Sequence, residues 1–371
     1  MQPGRFFAYG SALALFACGS VFACGSKTGL LVPQDDGQGS STGGLPDPGA
    51  DTPSPFDAGA DMPSPFDAGE EVAPLPPIDV THAPALVSNS CPDAAATLVY
   101  VITAQYDLLS FYPPTGTFTP IGRLHCPASD IPIKDLGGTI TLVPATPFSM
   151  AVDQQGIAYV VYDNGELFRV STATGACRPT RFVAGQQGFT QHFGMGYSQG
   201  LQGQGESLYV ASDDDLTDPD GGNAILPRLG TIDTQSFRLR VVGAFRPPLY
   251  TAELSGTGAG DLFAFYSLIP YTSTPVAIGQ VDKSTGQLVG QSVLPGIDQG
   301  CGWAFAFWGG DFYTFTAPAS VPRTPQHNLC GAERPGTVVN RFSPKDGSIV
   351  RVTQISEQIV GAGVSTCAPQ Q

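Results

Sequence analysis

The sequence predicts an all-β protein in which short antiparallel strands recur as repeated units behind a long N-terminal stretch that builds no core. Three observations carry this reading. Gly (46) and Pro (34) are abundant in 371 residues while charged residues make up 13%, a composition that weakens helix interiors and favours strands joined by turns. A short apolar strand with a central aromatic residue recurs five times beyond residue 97. Residues 24–90 are dominated by Gly, Ser, Pro and Asp with almost no apolar period. Such a segment cannot bury enough surface to offset the entropy of ordering.

At the N-terminus, Arg5 is a lone positive charge ahead of the apolar run Phe6 to Ala23. That is the layout of a secretory signal, and the run is short and poorly flanked for a membrane span. Two overlapping sites follow, Leu15-Phe16-Ala17-Cys18 and Val21-Phe22-Ala23-Cys24. Both resemble the bacterial lipoprotein box, with an aliphatic residue three before the cysteine and Ala directly before it, although Phe stands where the box has a small residue. The resemblance implies removal of residues 1–23 and a diacylglycerol thioether on Cys24, with Cys18 as the alternative. Two or three acyl chains make a stable anchor where one does not. Gly25 in place of Asp implies an exported, lipid-anchored protein of the outer membrane or cell surface.

Net charge is −15, with 17 Lys and Arg in all. Phosphate backbones are gripped by basic footprints, so nucleic acid is excluded as a partner. Residues 25–90 hold ten acids against one base, Lys27, which leaves residues 91–371 mildly acidic with 22 acids and 15 bases. The acidic stretch carries a near-perfect duplication, residues 51–60 and 61–70, each containing Pro-Ser-Pro-Phe-Asp-Ala-Gly. It reads as an extended, self-repelling tether that spaces a domain from a membrane.

The repeat has a first strand, a second strand, a hairpin near Asp-x-x-Thr-Gly and an outer strand. First strands are residues 98–101, 157–161, 208–210, 262–265 and 312–315; the hairpins fall near 116, 175, 237, 286 and 347, 49 to 62 residues apart. That spacing is too long for a β-helix coil and suits a four-stranded propeller blade. A Gly- and Ala-rich strand precedes four of the units: 148–152, 193–197, 250–253 and 302–306. Small residues belong where strands crowd an axis. The first unit has none before it, but Val360-Gly-Ala-Gly-Val-Ser365 at the C-terminus supplies one, closing the ring and removing exposed edges. Residues 91–371 thus resemble the β-propeller superfamily, with repeats similar to the PQQ, NHL and YVTN types. The resemblance implies five four-stranded blades closed by a C-terminal strand, and it implies no activity.

Six cysteines lie past the linker: Cys91, Cys126, Cys177, Cys301, Cys330 and Cys367. An even number in an exported chain implies three disulfides, for which fifteen pairings exist. No Cys-x-x-Cys and no His at ligand spacing accompanies them, which argues against zinc. The repeats favour Cys91–Cys367 across the seam, Cys126–Cys177 and Cys301–Cys330.

Candidate chemistry is sparse. Gly196-Tyr197-Ser198-Gln199-Gly200 matches the nucleophile elbow of serine hydrolases, but that elbow needs a following helix, and residues 201–205 (Leu-Gln-Gly-Gln-Gly) cannot start one. His327 follows in chain order with nothing to position it, so no catalytic residue is assigned. Asp213, Asp214, Asp215, Asp218 and Asp220 form the densest acidic cluster. Their oxygens suit calcium, the one cofactor considered, although the spacing misses the EF-hand loop and a solvated loop is the plainer reading. An axial metal centre would need several acids on inner strands, where only Glu253 and His192 are offered. Trp303, Phe305, Trp308 and Tyr271 would form either a sugar-stacking surface or inter-blade core. The expectation is a membrane-tethered binding or scaffolding module of the cell envelope for an unidentified protein or glycan, with an extracytoplasmic hydrolase as the alternative.

Overall fold

The computed structural model describes residues 74–80, 97–134, 137–189, 192–200, 205–212, 226–324, 330 and 333–371. They form five four-stranded antiparallel blades in a ring, a β-propeller. Blade one is built from β22 (Ile359–Val364), β1 (Val99–Thr103), β2 (Asp107–Tyr112) and β3 (Thr117–Arg123), from the axis outward. A separate hairpin, β4 (Ile131–Lys134) and β5 (Ile140–Val143), follows it. Blade two is β6 (Pro147–Val152), β7 (Ile157–Tyr162), β8 (Leu167–Ser171) and β9 (Cys177–Pro179). Blade three is β10 (Phe193–Gln199), β11 (Glu206–Ser212), β12 (Arg228–Ile232) and β13 (Leu239–Ala244). Blade four is β14 (Tyr250–Gly256), β15 (Leu262–Ser267), β16 (Val276–Val281) and β17 (Leu288–Val293). Blade five is β18 (Trp303–Trp308), β19 (Asp311–Thr316), β20 (Thr337–Phe342) and β21 (Ile349–Ile355). Each repeat of the sequence is one blade.

The seam lies where the sequence placed it. β22 pairs antiparallel with β1, Val99 opposite Val364 and Val101 opposite Ala362, so the last strand of the chain is the innermost strand of the first blade. Every residue of β22 is buried. Glycine is required on the inner strands because they almost touch. A Cβ on Gly194 would strike the Ala252 carbonyl of β14, and one on Gly361 would stand 3.0 Å from the Met150 nitrogen of β6. The core is accordingly divided into inter-blade layers, such as Phe263, Phe265, Trp303, Phe305 and Phe312 between blades four and five.

The turn between third and outer strands ends on a left-handed residue in every blade. Gly116, Gly175, Gly286 and Gly347 have φ of 66°, 71°, 81° and 71°, and Phe237 takes φ 57° at the equivalent place. Its ring is buried in the layer between blades two and three, and that packing offsets a conformation that costs an ordinary side chain about 1–2 kcal/mol.

Cys126 is bonded to Cys177, joining the connection after blade one to the outer strand of blade two, and Cys301 to Cys330 within blade five. Cys367 is also disulfide-bonded, while Cys91, Cys18 and Cys24 lie outside the described residues.

Two features depart from the sequence reading. The β4–β5 hairpin was not expected between blades one and two. Residues 74–80, assigned to the linker, lie against blade four with Ile78 only 5% exposed, because Leu75, Ile78 and Val80 enter the apolar layers on its two sides.

Candidate functional site

The antiparallel blades give the ring two unlike ends. At one end the last two strands of every blade turn, and so do the first two of blades two to five, blade one's first two being joined by no turn. These turns are short: 113–116, 153–156, 172–176, 233–238, 257–261, 282–287, 309–310 and 343–348. At the other end the described residues 124–134, 137–146, 180–189, 268–275, 294–302 and 317–324 belong to longer connections, beside the short ones 104–106, 163–166, 245–249 and 356–358. Binding residues tend to lie on such loops over a rigid scaffold. This loop end also carries six of the large apolar side chains left in solvent. Ile140 and Leu142 are each 63% exposed, Val183 is 67% exposed, and Ile269, Tyr271 and Val321 are close to half exposed.

Between the ends the axis is filled. Near the loop end the Phe148 ring stacks on His192 at 4.6 Å and meets Trp303 edge-on at 6.5 Å, and the Arg323 guanidinium lies 4.9 Å over Trp303. Deeper in, Ser149 Oγ donates to Glu253 Oε2 at 2.7 Å and accepts from the Met195 amide at 3.1 Å. Glu253 is 1% exposed. This links inner strands of blades two, three and four. A second serine, Ser255, accepts from the Phe307 amide at 2.9 Å.

At the hairpin end a polar cluster caps the axis. Glu206 accepts from the Gln154 amide at 2.7 Å and from Thr366 Oγ1 at 2.9 Å. The Gln154 side-chain amide donates to Gln199 Oε1 and Thr366 Oγ1, both at 2.8 Å. Burial, with Asp153 adding like charge, pushes the Glu206 carboxyl up to about 7 despite the hydrogen bonds it accepts. Burial likewise raises Asp153.

Ser198 lies inside strand β10 and is fully buried. Its Oγ donates to the Asp261 carbonyl at 2.8 Å and accepts from Lys283 Nζ at 3.1 Å. Lys283 also donates to the Gln199 carbonyl at 2.7 Å, and burial lowers its pKa. The group is a polar tie between blades three and four. A serine within a strand, closed to solvent, lacks the exposed turn that a nucleophile elbow requires.

The other candidates are dispersed. Trp303 and Phe305 are buried between blades, as core. Trp308 is at the hairpin end, its Nε1 donating to the Thr97 carbonyl at 2.7 Å, whereas Tyr271 is exposed at the loop end. They form no common stacking surface. His192 and Glu253 do reach the axis, within the filled region. Asp213, Asp214, Asp215, Asp218, Asp220 and His327 lie outside the described residues, and among the described ones no three His, Cys, Asp or Glu are grouped as metal ligands. The sequence reading missed Glu206 and Gln154. Their only signal was polar residues in turns after inner strands.

No protein-family model matches the chain. No curated protein matches it in sequence. Among solved structures, a chain of a nidogen/laminin complex aligns with TM-score 0.41 and 10% identity over 73% of this chain and 98% of its own. Hydrazine synthase of Kuenenia stuttgartiensis aligns with TM-score 0.35 and 13% identity, over 68% of this chain and 64% of its own. A protein of unknown function from Bacteroides caccae aligns with TM-score 0.39 and 11% identity, over 72% and 97%. Likenesses this distant bear on no activity.

Proposed function

We propose that the chain is a binding or scaffolding module of the cell envelope that engages a protein or glycan through the loop end of its propeller. The observation that carries this reading is the contrast between a filled axis and a loop end with long connections and exposed apolar side chains. An axial enzyme needs a cleft where reacting groups converge on solvent, whereas Glu253 and Ser198 are spent on tying blades together. A rigid ring with short turns at one end is suited to presenting loops at the other. The Cys126–Cys177 and Cys301–Cys330 disulfides fit an oxidising, extracytoplasmic compartment. Lipid anchoring through Cys24 (or Cys18) and an outer-membrane or surface address complete the proposal.

The test compares wild type with an Ile140→Asp/Leu142→Asp variant and a Tyr271→Ala variant on arrays of glycans, peptidoglycan fragments and envelope proteins, beside generic ester and glycoside substrates. Binding lost in the variants at unchanged melting temperature supports the reading. Turnover by wild type that Ser198→Ala or Glu253→Ala abolishes overturns it.

A further inference from the structure

The outer strand of a propeller blade leaves one row of backbone groups unpaired, a template for any extended peptide. On blade four that edge is occupied. Residues 74–80, Pro-Leu-Pro-Pro-Ile-Asp-Val, cross β17, and the Gln291 amide donates to the Pro76 carbonyl at 2.7 Å. The Ile78 amide donates to Ser292 Oγ at 3.4 Å and the Asp79 amide to Gln280 Oε1 at 3.5 Å. The apolar side chains straddle the blade. Leu75 packs on the layer shared by blades three and four, while Ile78 and Val80 enter the layer between blades four and five.

Both partners are shaped for this contact. Gly290 forms the floor. A Cβ there would stand 3.2 Å from the Pro77 carbonyl and 3.3 Å from Ile78 Cα, so alanine would already make the peptide give by a few tenths of an ångström and a branched side chain would displace it. The peptide carries Pro74, Pro76 and Pro77, which hold its backbone extended before it docks and so reduce the entropy lost on docking. Proline also has no N–H to offer a further strand, so the docked segment ends the sheet. Elsewhere in the tether, Pro-Ser-Pro-Phe-Asp-Ala-Gly at 53–59 and 63–69 has one aromatic residue and no aliphatic spacing to span two grooves.

We propose that the outer edge of blade four is a docking site for a short proline-rich peptide, and that residues 75–80 of the same chain are its occupant, clamping the tether to the propeller rim. The contact is small beside the ring it decorates, so the site is a clamp on a finished propeller. The inference is independent of what the loop end binds.

The experiment uses the chain from residue 25 with a protease recognition sequence replacing part of 81–90. After cleavage the N-terminal piece is expected to co-elute with the propeller as a 1:1 complex. Leu75→Asp/Ile78→Asp, or separately Gly290→Val, should release it. A labelled synthetic peptide of residues 73–82 should then bind the Leu75→Asp/Ile78→Asp protein at least ten-fold more tightly than the uncut wild type, whose site is filled. Separation of the pieces in the wild type, no peptide binding to the released propeller, or a dimer held together by exchanged segments would each overturn the assignment.

Discussion

Thr366 donates through Oγ1 to Glu206 Oε2 at 2.9 Å, and this hydrogen bond joins blades one and three, which are not neighbours in the ring. Thr366 follows the closing strand and Glu206 opens β11. Gln154, from the first turn of blade two, completes the triangle. The C-terminal tail is therefore held by more than its pairing with β1.

That cluster makes stability depend on pH. The folded-state pKa of Glu206, about 7, lies above the 4.5 of a free glutamate, so between these values the folded chain keeps a proton that the unfolded chain gives up. The contribution of this group is fully present below about pH 4.5 and is lost as pH rises through 7. Glu206→Gln should flatten the fall in melting temperature between pH 5 and pH 8, gaining a few degrees relative to wild type at pH 8 and little at pH 5. Wild type and variant melting in parallel across that range would contradict the assignment.

The left-handed turns offer a graded test. Nothing stands within 4 Å of a Cβ built on Gly347, whereas one on Gly116 would lie 2.8 Å from Val352 Cγ1. Gly347→Ala should cost about 1–2 kcal/mol from backbone strain alone, and Gly116→Ala should cost more. Chemical denaturation of both variants measures the difference. Equal costs, or a neutral Gly347→Ala, would show that these turns tolerate a side chain.

The disulfides should act through the unfolded chain. Cys301 and Cys330 are 29 residues apart and Cys126 and Cys177 are 51 apart. Removing either pair by double Cys→Ala substitution should cost up to roughly 3–4 kcal/mol in the chain-entropy model, slightly more for the longer loop. Urea denaturation under non-reducing conditions reads both, and no loss for either pair would count against this mechanism.

The architecture was legible because each blade repeats the same physics. Gly and Ala mark strands that touch at the axis, aromatic residues mark the layers between blades, and a glycine that closes the hairpin marks the outer turn of four blades. Phe237 broke the last pattern, yet its blade folds alike because inter-blade packing holds the turn. The polar cap was not legible. Glu206, Gln154 and Thr366 are separated by up to 212 residues, and only ring closure brings them together. The aromatic candidates failed as a set because Trp303 and Trp308 bound the two ends of one strand. Residues 74–80 were hidden by composition, since three prolines conceal an aliphatic spacing that has meaning only against two neighbouring grooves.

The central claim is that the C-terminal strand completes the first blade and closes the ring. Its direct measurement is guanidinium and thermal unfolding of the chain ending at Gln358, without β22 and the tail, beside the full-length chain. The truncated protein should lose cooperative unfolding or melt more than about 10 °C lower, because a five-bladed ring opened at its seam exposes the inner edge of β1 and the apolar face of blade two. A single cooperative transition at an undiminished melting temperature would show that the ring does not close this way.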